Sequence, residues 1–183
     1  MNVAICAYGA GNIRSVQLAF RRLGANAEVA EEPDTVLGAD LAVLPGVGSA
    51  RSAMAGLRDR GLDAALRERA AASRPILGIC LGLQLALDES EEDGGTLGLG
   101  LVPGRAVRLR SGRIPRIGWA ELDSGGAAYW FAHSYAVETT ATTATSEGIA
   151  AIVECDSFVG VQFHPEKSGG AGARFLEQCL SRG

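Results

Sequence analysis

The spacing of apolar residues divides the chain into two halves. In the first half, continuous apolar runs typical of buried strands lie at residues 3–7, 41–44 and 76–79, and a weaker strand pattern lies at 27–30. Between these runs, apolar residues recur every three or four positions, which predicts helices over 12–23, around Met54 and Leu57, and over 62–72. Strands that alternate with helices in this way predict a parallel sheet with helices on both faces.

After about residue 97 the pattern changes to short strands separated by turn residues. Strands are predicted at 101–107 and 129–137, and the runs 149–154 and 158–163 predict a β-hairpin. The Thr-rich segment 139–145 is expected to be a mobile surface turn. A closing helix over 171–180 is expected to pack on the sheet through Phe175 and Leu176.

Together the two halves predict a single α/β domain over residues 1–183. Its central sheet is mixed and mostly parallel, with helices on both faces and an antiparallel excursion in the second half. The chain has 183 residues, of which 47% are hydrophobic and 21% charged, values ordinary for a soluble globular protein with one core.

Charge and cysteine content exclude several classes of function. The net charge of −4 argues against nucleic-acid binding, and the arginines at 21–22 and 58–69 alternate with acids, as on solvated helix faces. No apolar stretch is long enough for a membrane span, and the N-terminus lacks a basic leader, so a cytoplasmic protein is expected. The four cysteines are scattered, which predicts neither disulfides nor a metal site, and no cofactor is expected.

Cys80 is the first candidate catalytic residue. It lies between Gly78 and Gly82, directly after a predicted strand and before the helical pattern 81–87. The Gly-x-nucleophile-x-Gly pattern is typical of a strained strand-to-helix elbow that exposes a nucleophile at the edge of a sheet. The helix N-terminus favours the thiolate, which is the reactive form of cysteine.

His164 and Glu166 complete the candidate chemistry. The chain contains one other histidine, His133, and only His164 has a carboxylate two positions away. A nucleophile, a base and an orienting acid form a triad, so we predict that Cys80, His164 and Glu166 act together. A lone cysteine is more often a buried hydrophobic residue, and a lone histidine is more often structural, but the two glycines favour catalysis here.

The residues around this triad resemble those of class I glutamine amidotransferases, and within them the glutaminase subunits of imidazole glycerol phosphate synthase. The resemblance rests on several motifs in order along the chain: Tyr8-Gly9-Ala10-Gly11-Asn12, Pro45-Gly46-Val47-Gly48, residues 78–84, Gly118-Trp119, His133-Ser134-Tyr135 and residues 162–169. It covers nearly the whole chain. Two positions depart from the usual pattern, because Ala7 replaces an acidic residue and Arg116 replaces a residue that is often histidine.

The resemblance implies roles for residues around the triad. The backbone N–H of Leu81 and the Val47 and Gly48 region would form an oxyanion hole. Glutamine would be bound by Gln84, Glu92, His133, Ser134 and Tyr135. Gln84 as a solvent-facing helix residue, Glu92 as part of an acidic helix end and His133 as a core histidine are the alternatives.

The resemblance also implies a partner. Ammonia released from glutamine would pass to a (β/α)₈-barrel cyclase subunit in a heterodimer of histidine biosynthesis, with Asn12, Trp119 and Lys167 facing that subunit. Three alternatives remain: the same chemistry serving another synthase, a catalytically dead scaffold, and a dinucleotide-binding domain. The last rests on Gly9-x-Gly11 with Glu28 or Glu31 downstream, but Arg14 occupies the third glycine position.

Overall fold

The computed structural model describes residues 1–9 and 11–182, so Ala10 and Gly183 lie outside the described residues. Within these residues six α-helices form: α1 (Ile13–Arg22), α2 (Pro33–Gly38), α3 (Ala50–Asp59), α4 (Leu62–Ala71), α5 (Leu81–Leu85) and α6 (Gly169–Leu180). Single turns of 3-10 helix lie at Glu92–Gly94 and Pro165–Lys167.

The strands are β1 (Asn2–Cys6), β2 (Asn26–Ala30), β3 (Leu41–Leu44), β4 (Ile76–Ile79), β5 (Glu89–Ser90), β6 (Thr96–Leu97), β7 (Arg105–Arg108), β8 (Arg116–Glu121), β9 (Ala128–His133), β10 (Tyr135–Glu138), β11 (Thr142–Ser146), β12 (Ile149–Cys155) and β13 (Phe158–Val161). Seven of them form the central sheet in the order β11-β12-β13-β4-β3-β1-β2. All pairs from β13 to β2 are parallel, whereas β11, β12 and β13 pair antiparallel. The predicted mixed, mostly parallel sheet is therefore confirmed.

Helices cover both faces of this sheet, as predicted. On one face α3, α4 and α5 bury Met54, Leu57 and Leu66 against β1, β3 and β4. On the other face α1 and α6 bury Phe20 and Leu176 against the alternate residues of the same strands. Because β3 and β4 carry apolar residues at every position, they bury both faces, as strands in a parallel sheet must.

The antiparallel excursion brings the end of the chain back to the elbow. The hairpin of β12 and β13 turns at Asp156, and β13 pairs with β4 so that Val161 lies opposite Ile79. The next residues after β13 therefore leave the sheet beside the residues that follow β4. This register places His164 at the same edge of the sheet as Cys80.

The second half differs from the prediction in several places, and one of them is β8, a strand that was not predicted. The predicted turn at 139–145 is wrong, because Thr142–Ser146 forms β11 at the edge of the central sheet. The run predicted as one strand over 129–137 breaks at Ser134, and its halves pair in different sheets, β9 with β8 and β10 with β7. Of the strand predicted at 101–107, only Arg105–Arg108 is extended.

Arg69 contradicts the expectation that the arginines of 58–69 lie on solvated faces. It is fully buried, and its guanidinium donates hydrogen bonds to the carbonyls of Val36, Ala39, Asp40 and Pro75 at 2.8–3.1 Å. These carbonyls include the C-terminal end of α2, whose carbonyl groups lack helical partners. Burial lowers the pKa of Arg69 to about 10, so the side chain stays charged at neutral pH.

Candidate active site

Cys80 occupies the predicted elbow between β4 and α5. Its backbone has φ 53° and ψ −107°, a strained conformation for a residue with a side chain. Its N–H donates to the carbonyl of Val161 on β13 at 2.7 Å, which ties the elbow to the neighbouring strand. A Cβ at Gly82 would lie 1.8 Å from the Leu44 carbonyl oxygen, and one at Gly78 would lie 2.7 Å from Phe158. Both glycines are therefore required by close packing.

The thiol of Cys80 is surrounded by polar groups although the residue is buried, with an exposed fraction of 6%. Its Sγ lies 3.8 Å from the carbonyl oxygen of Ala132 on β9. On the other side the Nε2 of Gln162 donates to Sγ at 3.6 Å. An amide donor that points at the sulfur stabilises negative charge there.

His164 and Glu166 form a buried pair next to this thiol. The imidazole Nδ1 lies 2.9 Å from a Glu166 carboxylate oxygen, and both side chains are almost fully buried. The backbone of His164 is fixed as well, because its N–H donates to the Trp130 carbonyl at 2.8 Å and its carbonyl accepts from Ser168 Oγ at 2.7 Å.

The charge state of His164 follows from these contacts. Burial alone would lower its pKa, but hydrogen bonds with the side chains of Cys80 and Glu166, together with their negative charges, raise it to about 9. At neutral pH the ring is therefore an imidazolium, whose Nδ1–H donates to Glu166 and whose other N–H donates to the sulfur of Cys80. An imidazolium beside the sulfur stabilises a thiolate, the form that attacks carbonyl carbon.

A cavity of about 290 Å³ opens over the thiol. Most of the residues predicted from the sequence line it: Val47, Gly48, Cys80, Leu81, Gln84, Glu92, His133, Ser134 and Tyr135, together with Pro115, Ile117 and Ala132. Within the described part of the chain, the backbone N–H groups of Leu81, Val47 and Gly48 have no hydrogen-bond acceptor. Free N–H groups beside a nucleophile are the donors that an oxyanion hole needs.

Gln84 and Glu92 both line the cavity. Gln84 is 5% exposed, which contradicts the solvent-facing alternative, and its Nε2 donates to the Tyr135 carbonyl at 3.2 Å and to Gln162 Oε1 at 3.0 Å. Glu92 accepts from the N–H of Ala50 at 2.8 Å, at the first residue of α3. Burial is the main cause that raises the pKa of Glu92. Its carboxylate suits the ammonium group of an amino acid.

His133 lines the cavity and also makes a structural hydrogen bond. Its Nδ1 donates to the Tyr135 carbonyl at 2.8 Å, which fixes the bend of the chain around Ser134. Burial first, then the positive charges of Arg116 and His164, lower the pKa of His133 to about 4, so the ring is neutral. Its Nε2 has no partner among the described residues and is left as a hydrogen-bond acceptor at the cavity.

Comparison with known proteins places these features in a family. The family model described as glutamine amidotransferase class-I matches residues 5–182. The chain belongs to the class-I glutamine amidotransferases. It is 46% identical to the imidazole glycerol phosphate synthase subunit HisH of Symbiobacterium thermophilum, over 95% of this chain and 91% of the relative.

Other relatives agree with this assignment. The subunit of the same name from Methanothermobacter thermautotrophicus is 44% identical, with 97% of each chain covered. A crystal structure of a glutamine amidotransferase superposes with a TM-score of 0.83 over 98% of this chain and 97% of that one. Since the sequence identity to that structure is 19%, it supports the shared fold alone.

Two polar residues of this amidotransferase site were not assigned from the sequence. Gln162 is fully buried and contacts both Cys80 and Gln84. Ser168 holds the His164 carbonyl and also accepts from the Trp130 N–H at 2.9 Å. A signal for Gln162 was present, because residues two apart on an extended segment face the same way, and Gln162 precedes His164 by two.

The three residues predicted to face a partner differ in exposure. Trp119 on β8 is 57% exposed, Lys167 is exposed, and Asn12, which precedes α1, is half-buried. Around the mouth of the amidotransferase cavity, Val47 and Ile117 are also largely exposed apolar side chains. None of the described helices is long and apolar enough to cross a membrane.

Arg116, one of the two departures from the usual family pattern, is the first residue of β8. Its guanidinium lies 4.2 Å from the centre of the Phe131 ring and bonds Ser146 Oγ at 2.8 Å. It also pairs with the carboxylate of Glu147 at 3.1 Å. These contacts join the β8–β9 ribbon to β11, and the cross-strand neighbour of Arg116 is His133.

Proposed function

We propose that this chain is the glutaminase subunit of an imidazole glycerol phosphate synthase, and that residues 1–183 act as one catalytic domain. The observation that carries the proposal is the buried His164–Glu166 pair beside the Cys80 thiol, which itself lines the cavity. The cavity also contains a carboxylate, a buried amide and free backbone N–H groups, as glutamine requires. The curated relatives, 44–46% identical, carry the name of that synthase subunit.

In the proposed mechanism, the Cys80 thiolate attacks the side-chain amide carbon of glutamine. The carbonyl oxygen becomes an oxyanion, which the N–H groups of Leu81 and of Val47 or Gly48 stabilise. When this intermediate collapses, the imidazolium of His164 gives its proton to the departing nitrogen, and ammonia leaves a glutamyl thioester.

Water completes the cycle. His164, now neutral, removes a proton from water, which attacks the thioester and forms a second oxyanion in the same place. Collapse releases glutamate and regenerates the Cys80 thiolate and the imidazolium. Glu166 holds Nδ1 throughout, so that the other ring nitrogen faces the reacting atoms and the positive ring is stabilised.

Ammonia is useful only where a synthase captures it before it is protonated and lost. We propose that a (β/α)₈-barrel cyclase binds the surface that includes Asn12, Trp119 and Lys167. This partner would use the ammonia to form imidazole glycerol phosphate and aminoimidazole carboxamide ribotide in histidine biosynthesis. The exposed apolar residues Trp119, Ile117 and Val47 near the cavity support an interface there, since aromatic residues are enriched in the cores of interfaces.

The test is release of glutamate by the purified chain, alone and with the cyclase subunit and its nucleotide substrate. We expect strong stimulation by the cyclase, and loss of activity to background in Cys80→Ala with an unchanged thermal melting curve. Glutamine hydrolysis that the cyclase does not stimulate would indicate the same chemistry in the service of another synthase. Absence of hydrolysis with an intact complex would contradict the proposal and favour a dead scaffold.

A further inference from the structure

Tyr8, two residues after the end of β1, has a polar contact that the mechanism does not use. Its ring is buried, with 2% of the residue exposed, and its hydroxyl donates a hydrogen bond to the carbonyl of Pro45. Burial first, then the charges of Cys6 and Cys80, raise the pKa of this hydroxyl, so it remains a donor at any working pH. The contact joins β1 to the segment 45–48 that follows β3.

This contact fixes the first peptide of that segment. In a trans peptide the C=O and N–H groups point in opposite directions, so a Pro45 carbonyl held by Tyr8 also sets the direction of the Gly46 N–H. Gly46 is packed tightly as well. A Cβ there would lie 2.6 Å from Leu81 Cβ, 2.9 Å from the Gly82 nitrogen and 3.0 Å from the Tyr8 hydroxyl. Pro45 and Gly46 are both buried.

The next two residues have no such constraint. Val47 is 41% exposed, and Gly48 has φ +106° with nothing within 4 Å of the position that a Cβ would take. Past them the chain is fixed again, because the Ala50 N–H donates to Glu92. The segment therefore has a fixed end at Tyr8, a fixed end at Glu92, and two unconstrained residues between them that line the cavity.

We propose that the Tyr8 hydroxyl is a positioning residue for the oxyanion hole, which confines reorientation of this segment to the peptides around Val47 and Gly48. The inference rests on the proposed glutaminase function. By holding the Pro45 carbonyl, Tyr8 fixes the start of the segment 45–48. When the Val47–Gly48 peptide rotates, its N–H therefore reaches the same position in the oxyanion hole. Without the hydroxyl, Pro45 and Gly46 can also move, and the N–H donor is less well aligned with the oxyanion.

The first test compares Tyr8→Phe with Tyr129→Phe in the complex with the cyclase. Tyr129 stacks on Phe163, and within the described residues its hydroxyl has no hydrogen-bond partner. Tyr129→Phe therefore controls for the removal of a tyrosine hydroxyl that makes no hydrogen bond. Tyr8→Phe should lower kcat roughly 10-fold, less than the ~10²–10³ that follows loss of an oxyanion donor. KM for glutamine should stay within about 2-fold, because Glu92, Gln84 and Tyr135 are untouched.

A second readout separates the donor from the nucleophile. Alkylation of Cys80 by iodoacetamide forms no oxyanion, so its rate, followed by mass spectrometry of the Cys80 peptide, should be unchanged in Tyr8→Phe. An unchanged kcat in a wild-type-active complex would overturn the inference. A parallel loss of kcat, glutamine binding and alkylation would also overturn it, since it would indicate a general disturbance of the site.

Two further measurements test the inference, and the second remains valid if Tyr8→Phe folds poorly or the chain lacks glutaminase activity. In a double-mutant cycle with Gly48→Ala, the effect of Tyr8→Phe should shrink, because both act on one segment; fully multiplicative effects would contradict this. In the wild-type chain, ¹⁵N relaxation should give Gly46 an order parameter of about 0.85 and Gly48 one below about 0.6. Equal values for the two glycines would overturn the inference without reference to activity.

Discussion

The elbow at Cys80 and the segment at Val47 and Gly48 face the same cavity but differ in freedom. The elbow is held by the hydrogen bond from the Cys80 N–H to the Val161 carbonyl, and by Gly78 and Gly82, whose positions leave no room for a side chain. The segment has an exposed valine and a glycine with open space around it. The proposed nucleophile is thus fixed by packing, whereas the peptide of Val47 and Gly48, the proposed oxyanion donor, has room to rotate. If both proposals hold, the rate can be controlled through the donor while the proposed triad stays assembled.

Gly82→Ala tests the fixed side of this comparison and should have the largest effect. The added methyl would lie 1.8 Å from the Leu44 carbonyl oxygen, so α5 or β3 must move. Overpacking of this kind typically costs ~1–3 kcal/mol of the free energy of unfolding. Because the shift moves both Cys80 and the Leu81 donor, glutaminase activity should fall by ~10³. Chemical denaturation and glutamate release measure the two effects, and full activity with unchanged stability would contradict the packing argument.

Gly48→Ala is the matched substitution on the free side. The methyl meets no neighbour, so the cost in stability is limited to the left-handed backbone, about 1–2 kcal/mol. The restricted backbone should hinder rotation of the Val47–Gly48 peptide and reduce the cyclase-stimulated kcat by up to ~10², with little change in KM. Steady-state kinetics in the complex checks this. Equal losses of kcat and stability in the two alanine variants would remove the distinction between the two regions.

The same contrast explains what the sequence revealed. Gly78 and Gly82 around Cys80 mark a strained elbow, because packing on both sides leaves a recognisable residue pattern. His164 and Glu166 lie two positions apart and could be paired from spacing alone. The parallel half of the sheet was predictable for a similar reason, since strands such as β3 and β4 are continuously apolar and helices carry a regular period.

The features that sequence reasoning missed depend on distant contacts. Thr142–Ser146 carries no apolar pattern and becomes β11 only because β12 offers it a strand edge. Arg69 has the sequence context of a solvated helix, yet it is buried by carbonyls at the end of α2 and at Pro75. The contact of Tyr8 with Pro45 spans 37 residues and is set by the adjacency of β1 and β3. Such partners follow from topology and leave no local pattern.

The smallest expected effect concerns the pH profile of glutamine hydrolysis. We expect the profile to follow the titration of His164, which lies in the fixed region next to Cys80. His164 has a pKa raised to about 9. In the proposed mechanism its proton leaves with the ammonia. As pH rises through that value the imidazolium is lost, so kcat/KM for glutamine should be level near pH 8 and fall about tenfold per unit well above pH 9. Gly48→Ala should lower the whole profile but keep this limb in place, because among the described residues no hydrogen bond joins Val47 or Gly48 to His164. A limb near the ordinary histidine value of about 6.5 would show that Cys80 and Glu166 do not hold the proton as described. A limb that moves in Gly48→Ala would show instead that the two regions are coupled, since the donor segment would then affect the charge of the base.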